Sequence, residues 1–341
     1  MIRALITQIT LPLLLSAPLS AQPASEFYQN KRLRIIVHES AGSSFDVYSR
    51  ILARHLPKYM PPLAGIIIEN MPGSGGIRAT NYVETIAPSD GTVLATAGAG
   101  ILVDQALGLT PSLIPKLTAL HWLGSVSDSN SVIVTWRTSP SRTIEDAKKR
   151  DTTLAVGNSG ALGVQAPILL NALLGTRFKV VKGYTSAEQG LAMERGETEG
   201  RGAFPWSGYK SLHPHWITNQ DIHILVQAGA AKEPDLPDVP LACDLGATEQ
   251  EKKMLLFLCN AVSIGRPYFM ATAAPIERVA FFRTALENVM ADDEFTKEAQ
   301  RDGLDIRLTK GEAIQALVKN VTQTDPPILK AIKAIIEMDA N

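Results

Sequence analysis

Gly65-Ile66-Ile67-Ile68-Glu69-Asn70-Met71-Pro72-Gly73-Ser74-Gly75-Gly76 is a β-branched run that stops in a cluster of Asn, Pro and Gly. Such a run predicts a strand over 65–69, and the cluster behind it predicts a loop. Apolar residues at helical spacing follow over 77–86, then the turn Pro88-Ser89-Asp90-Gly91, then a second strand over 92–96. Strand, loop, helix, turn and strand in this order predict a parallel sheet covered by helices.

The order repeats on both sides. Upstream, 33–37 is strand-like, Ser40-Ala41-Gly42-Ser43-Ser44 is a small-residue loop, and Val47, Ile51, Leu52 and Leu56 recur at helical spacing until Pro57. Downstream, strands are predicted over 131–136, 153–156, 178–182, 199–204 and 222–226. Helices are predicted over 143–149, 162–174 and from the capping box Thr185-Ser186-Ala187-Glu188 through Met193. From Ile276 onward the chain reads as amphipathic helix with solvated outer faces. No repeat and no low-complexity block interrupts the pattern.

The chain has 341 residues, 45% of them apolar and 20% charged, which suits two globular domains with buried cores. Lys plus Arg is 33 and Asp plus Glu is 34, with no basic stripe, so nucleic acid is not expected as a partner. Residues 1–21 hold one charge, Arg3, a short apolar run over 11–15 and the small residues Leu19-Ser20-Ala21. That is the layout of a secretory signal peptide cleaved after Ala21. Pro12, Pro18, Thr7 and Thr10 make it a poor membrane anchor. The longest stretch without a charge, 152–176, is broken by Gly157, Asn158, Ser159, Gly160, Gly163, Gln165, Pro167 and Asn171, and reads as a cleft lining rather than a membrane span. Cys243 and Cys259 are an even pair, open to a disulfide in an oxidising compartment or to a buried thiol at Cys259.

Ligands of parallel sheets bind beyond the carboxyl ends of the strands, and three loops fall there. They are Ser40, Ala41, Gly42, Ser43, Ser44 and Phe45; the loop 70–76 with Asn70 and Gly73; and Gly157 with Asn158, Ser159, Gly160 and Ala161. Each leads into a helix N-terminus, where free amides and the positive dipole end favour an anion. None of them carries Lys or Arg, so a bound anion is expected to be held by fixed dipoles. Tyr184 and Thr185, at a strand end before a capped helix, are expected to face the same ligand. Phe45, Phe204 and Trp206 read as cleft walls or as core. Asp46, in the first turn of its helix, reads as a capping group.

An enzyme is the rival class. Gly157-Asn158-Ser159-Gly160-Ala161 comes close to the nucleophile elbow of a secreted serine hydrolase, with Asp221 and His223 later in the chain. Those two lie only two positions apart on one predicted strand, which weakens the match. His38, His55, His121, His213 and His215 have no metal-ligand spacing, and the glycines at 73–76 fit neither a phosphate-cradling nor a dinucleotide loop. No metal or cofactor is expected.

Lys31-Arg32-Leu33-Arg34-Ile35-Ile36-Val37, followed by Ala41-Gly42, Asp46 and Ser49-Arg50-Ile51-Leu52-Ala53, resembles the opening of the tripartite tricarboxylate transporter receptors, the Bug-type solute-binding proteins. Glu69 through Gly76, with Arg78-Ala79-Thr80-Asn81-Tyr82 and Ala87-Pro88-Ser89-Asp90-Gly91, is similar to that family's second signature. Gly265-Arg266-Pro267-Tyr268, Pro275-Ile276-Glu277-Arg278-Val279, Asp292, Asp293 and Phe295 extend the likeness to the C-terminal part.

The resemblance implies an α/β, two-lobed periplasmic-binding-protein fold of the Venus-flytrap, type II-like kind, with the ligand cleft between lobes. Lobe one would comprise 27–128 plus 231–341, and lobe two 129–230. It implies a monomeric periplasmic receptor for a small carboxylated solute, which docks on the integral-membrane subunits of a tripartite tricarboxylate-type transporter. The first loop departs from the family: Ser43 and Ser44 stand where glycine is usual, and His38 and Glu39 replace an apolar pair. Glu39 reads either as a surface carboxylate or as a partner for a cationic or hydroxyl group of the ligand.

Overall fold

The computed structural model describes residues 23–157 and 162–339; the expected signal peptide and Asn158, Ser159, Gly160 and Ala161 lie outside the described residues. Among the described residues eleven strands form two sheets. The first has six: β1 (Arg32–Val37), β2 (Gly65–Asn70), β3 (Val93–Thr96), β4 (His121–Ser125), β10 (Pro267–Met270) and β11 (Thr309–Lys310). Their order is β11-β4-β10-β3-β1-β2. The second has five, β5 (Ser131–Trp136), β6 (Thr152–Ala155), β7 (Phe178–Val181), β8 (Gly200–Pro205) and β9 (Ile222–Ala228), in the order β7-β6-β8-β5-β9.

The expected parallel sheets are parallel only in part. β2-β1-β3 and β7-β6-β8 run parallel, whereas β10, β11, β5 and β9 join antiparallel to a neighbour. β4 and β10 have no counterpart among the strands expected from the sequence. His121-Trp122-Leu123-Gly124-Ser125 carries a glycine inside a short run, and β10 opens on Pro267, so neither shows a β-branched signal.

Helices cover both sheets. The inner strands β1, β3 and β5 are buried almost throughout, as fully covered strands must be. One apolar cluster runs without a break from Ile36, Val93 and Ala95 of the first sheet to Ile133, Leu154 and Leu225 of the second. The helices Ala99–Leu107, Leu162–Leu174, Glu249–Val262 and Pro326–Asp339 carry it across. Within this bridge the buried side chains of Asp104 and Gln165 are joined by a hydrogen bond of 2.7 Å. A second cluster lies on the other face of the first sheet, and a third gathers Trp206, Tyr209 and Trp216 behind the second.

Local rules fix the helix starts. Thr143, Thr185 and Thr248 each form a reciprocal capping box with the acidic residue three positions on. Helix Leu162–Leu174 packs so closely on β8 that a side chain at Gly202 would run into the Gly163 carbonyl. Cys243 and Cys259 form a disulfide between a 3-10 turn and the helix Glu249–Val262, with Cα atoms 6.3 Å apart. No helix among the described residues is long and apolar enough to cross a membrane.

Candidate functional site

A cavity of about 280 Å³ opens between the carboxyl ends of parallel strands from both sheets. His38, Glu39 and Ser40 follow β1, Gly73 to Gly75 follow β2, and Gly98 to Gly100 follow β3. From the second sheet come Gly157 after β6, Gly183 to Ser186 after β7, and Ala203 to Pro205 at the end of β8. This is where the topology of such sheets leaves a crevice.

Of the residues expected at the site, Ser40, Phe45, Gly73, Tyr184 and Thr185 line the cavity, and so does Phe204. Ala41, Gly42, Ser43, Ser44, Asn70 and Trp206 do not. The Ser44–His55 helix start is satisfied from within. Ser43 Oγ accepts the Asp46 amide at 3.3 Å, and the Asp46 carboxylate accepts the Gly42 amide at 2.9 Å, the Asn70 amide group at 3.0 Å and the Arg50 guanidinium at 2.8 Å. Burial alone would raise the Asp46 pKa, but the donors from Arg50, Gly42 and Asn70 outweigh it and hold the carboxyl below its ordinary range. Asn70 also donates to the Glu39 carbonyl at 3.0 Å, so it fixes a lining residue without being one. Trp206 gives its indole N–H to Asp235 at 2.9 Å and packs in the third cluster.

The free helix start is elsewhere. The helix Ala99–Leu107 begins after Gly98, which is extended at φ −100° and ψ 166° and offers no side-chain cap. Gly98, Ala99 and Gly100 all line the cavity, so first-turn amides of this helix face it. Behind them the His38 ring Nδ1 lies 2.7 Å from Thr96 Oγ1, and its ring stands edge-on to Phe45. Burial holds the His38 pKa below its ordinary value, so the ring is neutral near pH 7.

Two arginines missed by sequence reading dominate the electrostatics. Arg201 on β8 and Arg266 just before β10 both line the cavity, and each is 1% exposed. Arg201 donates to Gln189 Oε1 at 2.8 Å and Ser186 Oγ at 2.9 Å, with its guanidinium 3.5 Å from the Phe204 ring centre. Arg266 donates to Ser127, Ser207 and Ser44 hydroxyls at 3.1, 2.7 and 3.2 Å, and lies over the Tyr48 ring. Every one of these partners is neutral. Arg201 Nη1 and Arg266 Nε have no hydrogen-bond partner among the described residues. Burial holds the Arg201 pKa below its ordinary range and outweighs the opposing pull of Tyr209 and of the Glu39 carboxylate. The nearest hint in the sequence was Arg266, inside the Gly265–Tyr268 match; Arg201 carried no local signal.

Of the residues of the hydrolase alternative, Ser159 lies outside the described residues. Asp221 pairs with Arg137 at 2.8 Å and His223 sits on β9, and neither lines the cavity to which Gly157 contributes. No group of three or more His, Cys, Asp or Glu among the described residues is placed to hold a metal ion.

No family model matches the chain. Over 117 residues, 34% of this chain and 32% of the other, it is 27% identical to the UPF0065 protein in the gbd 5' region of Cupriavidus necator. In structure it is similar to the periplasmic binding protein BugD, with a TM-score of 0.71 and 20% identity over 90% of this chain and 98% of that one. It is also similar to MatC from Rhodopseudomonas palustris with bound malate, at TM-score 0.67 and 17% identity over 89% and 99% of the two chains. A TctC solute binding protein from Polaromonas gives TM-score 0.62 and 19% identity over 91% and 99%. The chain has the two-sheet α/β fold of these solute-binding proteins.

Proposed function

We propose that the chain is an exported receptor of the tripartite tricarboxylate transporter type, which captures a small carboxylated solute between its two sheets and hands it to membrane subunits. The observation that carries this reading is the pair of buried guanidiniums, Arg201 and Arg266, which face one cavity with neutral partners and unused N–H groups. A buried charge whose hydrogen-bond partners are all neutral is costly, and a solute carboxylate supplies a directly bonded counter-ion. The uncapped start of Ala99–Leu107 adds fixed amide donors to the same cavity.

In this reading lobe one is 27–128 plus 231–341 and lobe two is 129–230. The division of strands supports it, since β5 to β9 all fall between Ser131 and Ala228. The Cys243–Cys259 disulfide and a signal peptide over 1–21 both suit an oxidising space outside the cytoplasm. Solutes bound by BugD-like neighbours, such as the malate held by MatC, suit the proposed class.

Thermal denaturation with a panel of solutes tests the reading. A carboxylate at a hundred times its dissociation constant adds about 2.7 kcal/mol to the folded state. For a protein of this size that raises the melting temperature by about 4 °C. Sugars or amines that raise it while mono- and dicarboxylates do not would overturn the proposal.

A further inference from the structure

Among the described residues Glu39 is the one acidic side chain lining the cavity, and its backbone is held in place. The Asn70 side chain holds its carbonyl at 3.0 Å, and the preceding residue is tied to Thr96 through both its amide and its ring, at 3.2 and 2.7 Å. Glu39 Oε2 is out of reach of solvent and has no hydrogen-bond partner among the described residues.

The cavity thus holds unused groups of both signs. Among the described residues Arg201 Nη1 lacks an acceptor and Glu39 Oε2 lacks a donor; the Glu39 carboxylate pulls on the Arg201 charge, but no hydrogen bond or ion pair joins the two. An anionic solute with no donor group would satisfy Arg201 and leave Glu39 repelling it. A neutral solute could bond to both groups but would leave both charges without a counter-charge. A solute with an ammonium group beside its carboxylate completes both, and each contact is a charge-assisted hydrogen bond.

We infer that the solute is an amino-carboxylate, and that Glu39 is the specificity-determining residue that accepts its ammonium while the guanidinium side of the cavity takes its carboxylate. The inference rests on the carboxylate reading above and narrows it.

Calorimetric titration with matched pairs differing only in the amino group tests it, using 4-aminobutyrate against butyrate and glutamate against glutarate. Each aminated member should bind the unaltered protein about tenfold or more tighter than its partner, the scale of one charge-assisted bond. Glu39→Gln should remove that preference and tighten the deaminated member, because the repelling charge is gone. Glu39→Asp should keep the sign of the preference at reduced size. Unchanged melting of the ligand-free variants shows that the fold survives. Equal binding within each pair overturns the inference and leaves the carboxylate reading standing; a preference that persists in Glu39→Gln overturns the role of Glu39. Failure of every pair, with no other carboxylate bound, overturns both.

Discussion

A guanidinium held in the interior by neutral partners works against folding, and Arg201 is such a group. Its Nε and Nη2 are engaged by Gln189 and Ser186, its face rests on Phe204, and Nη1 is left for whatever enters the cavity. Arg201→Met keeps much of the side-chain volume and removes the charge. Carboxylate binding should weaken by about 2 kcal/mol, roughly thirtyfold, as read by titration calorimetry. The ligand-free protein should melt at the same temperature or higher, because the uncompensated charge is gone. A variant that both binds normally and melts lower would show a purely structural arginine. Neither Arg201 nor Arg266 was legible beforehand. Ser40, Phe45, Gly73, Tyr184 and Thr185 announce themselves because strand, small-residue loop and helix start are neighbours in sequence. An arginine inside a strand or before a proline looks like any solvated charge until distant segments close over it.

Helix starts differ in what they offer, although they look alike in sequence. Ser43 and Asp46 take up the Asp46 and Gly42 amides at the first loop, and Asn70 donates to the same Asp46 carboxylate, so these groups brace the helix start. The open start belongs to Ala99–Leu107, in a stretch whose glycines at 98 and 100 disguise a helix. Ala99 stands at the first helical position after an extended residue, where proline is accommodated and only an amide donor is lost. Ala99→Pro should therefore fold normally and weaken carboxylate binding by about 1 kcal/mol. Undiminished affinity in a well-folded Ala99→Pro protein would take this helix out of the recognition surface. The capping box at Thr185 and the alternation of strands with helices were plain from the sequence, because both depend on residues a few positions apart. The antiparallel insertion of β10 was not, since it depends on pairing across more than a hundred residues.

At the scale of the molecule the two sheets share one apolar core, and Asp104 is an ionisable side chain buried inside it beside Gln165. Its carboxylate accepts from Gln165 of the other sheet's helix and from Thr110 at 3.2 Å. Burial outweighs both donors and lifts its pKa from 3.8 to about 6. The folded state thus holds this proton more tightly than the unfolded chain. The stabilisation is fully present below about pH 4 and is lost as pH rises through about 6. Asp104→Asn retains an acceptor for Gln165 and cannot ionise. It should stabilise the protein at pH 8 by on the order of 1 kcal/mol after solvent screening, with the gain disappearing at pH 4. Denaturant melts at the two pH values measure the difference, and an equal effect at both would mean that Asp104 does not titrate in this range.

The position of β10 between β3 and β4 sets a timetable for the chain. β5 to β9 come from one continuous stretch, so the second sheet can assemble as soon as that stretch is available. The first sheet cannot. Until residues 267–270 arrive, β3 presents a bare edge and β4 has no neighbour on that side. A bare edge is a template for wrong pairing with other chains. The half of the molecule that is made first is therefore the half that is finished last, and it waits half-built, in need of protection, while the later half folds.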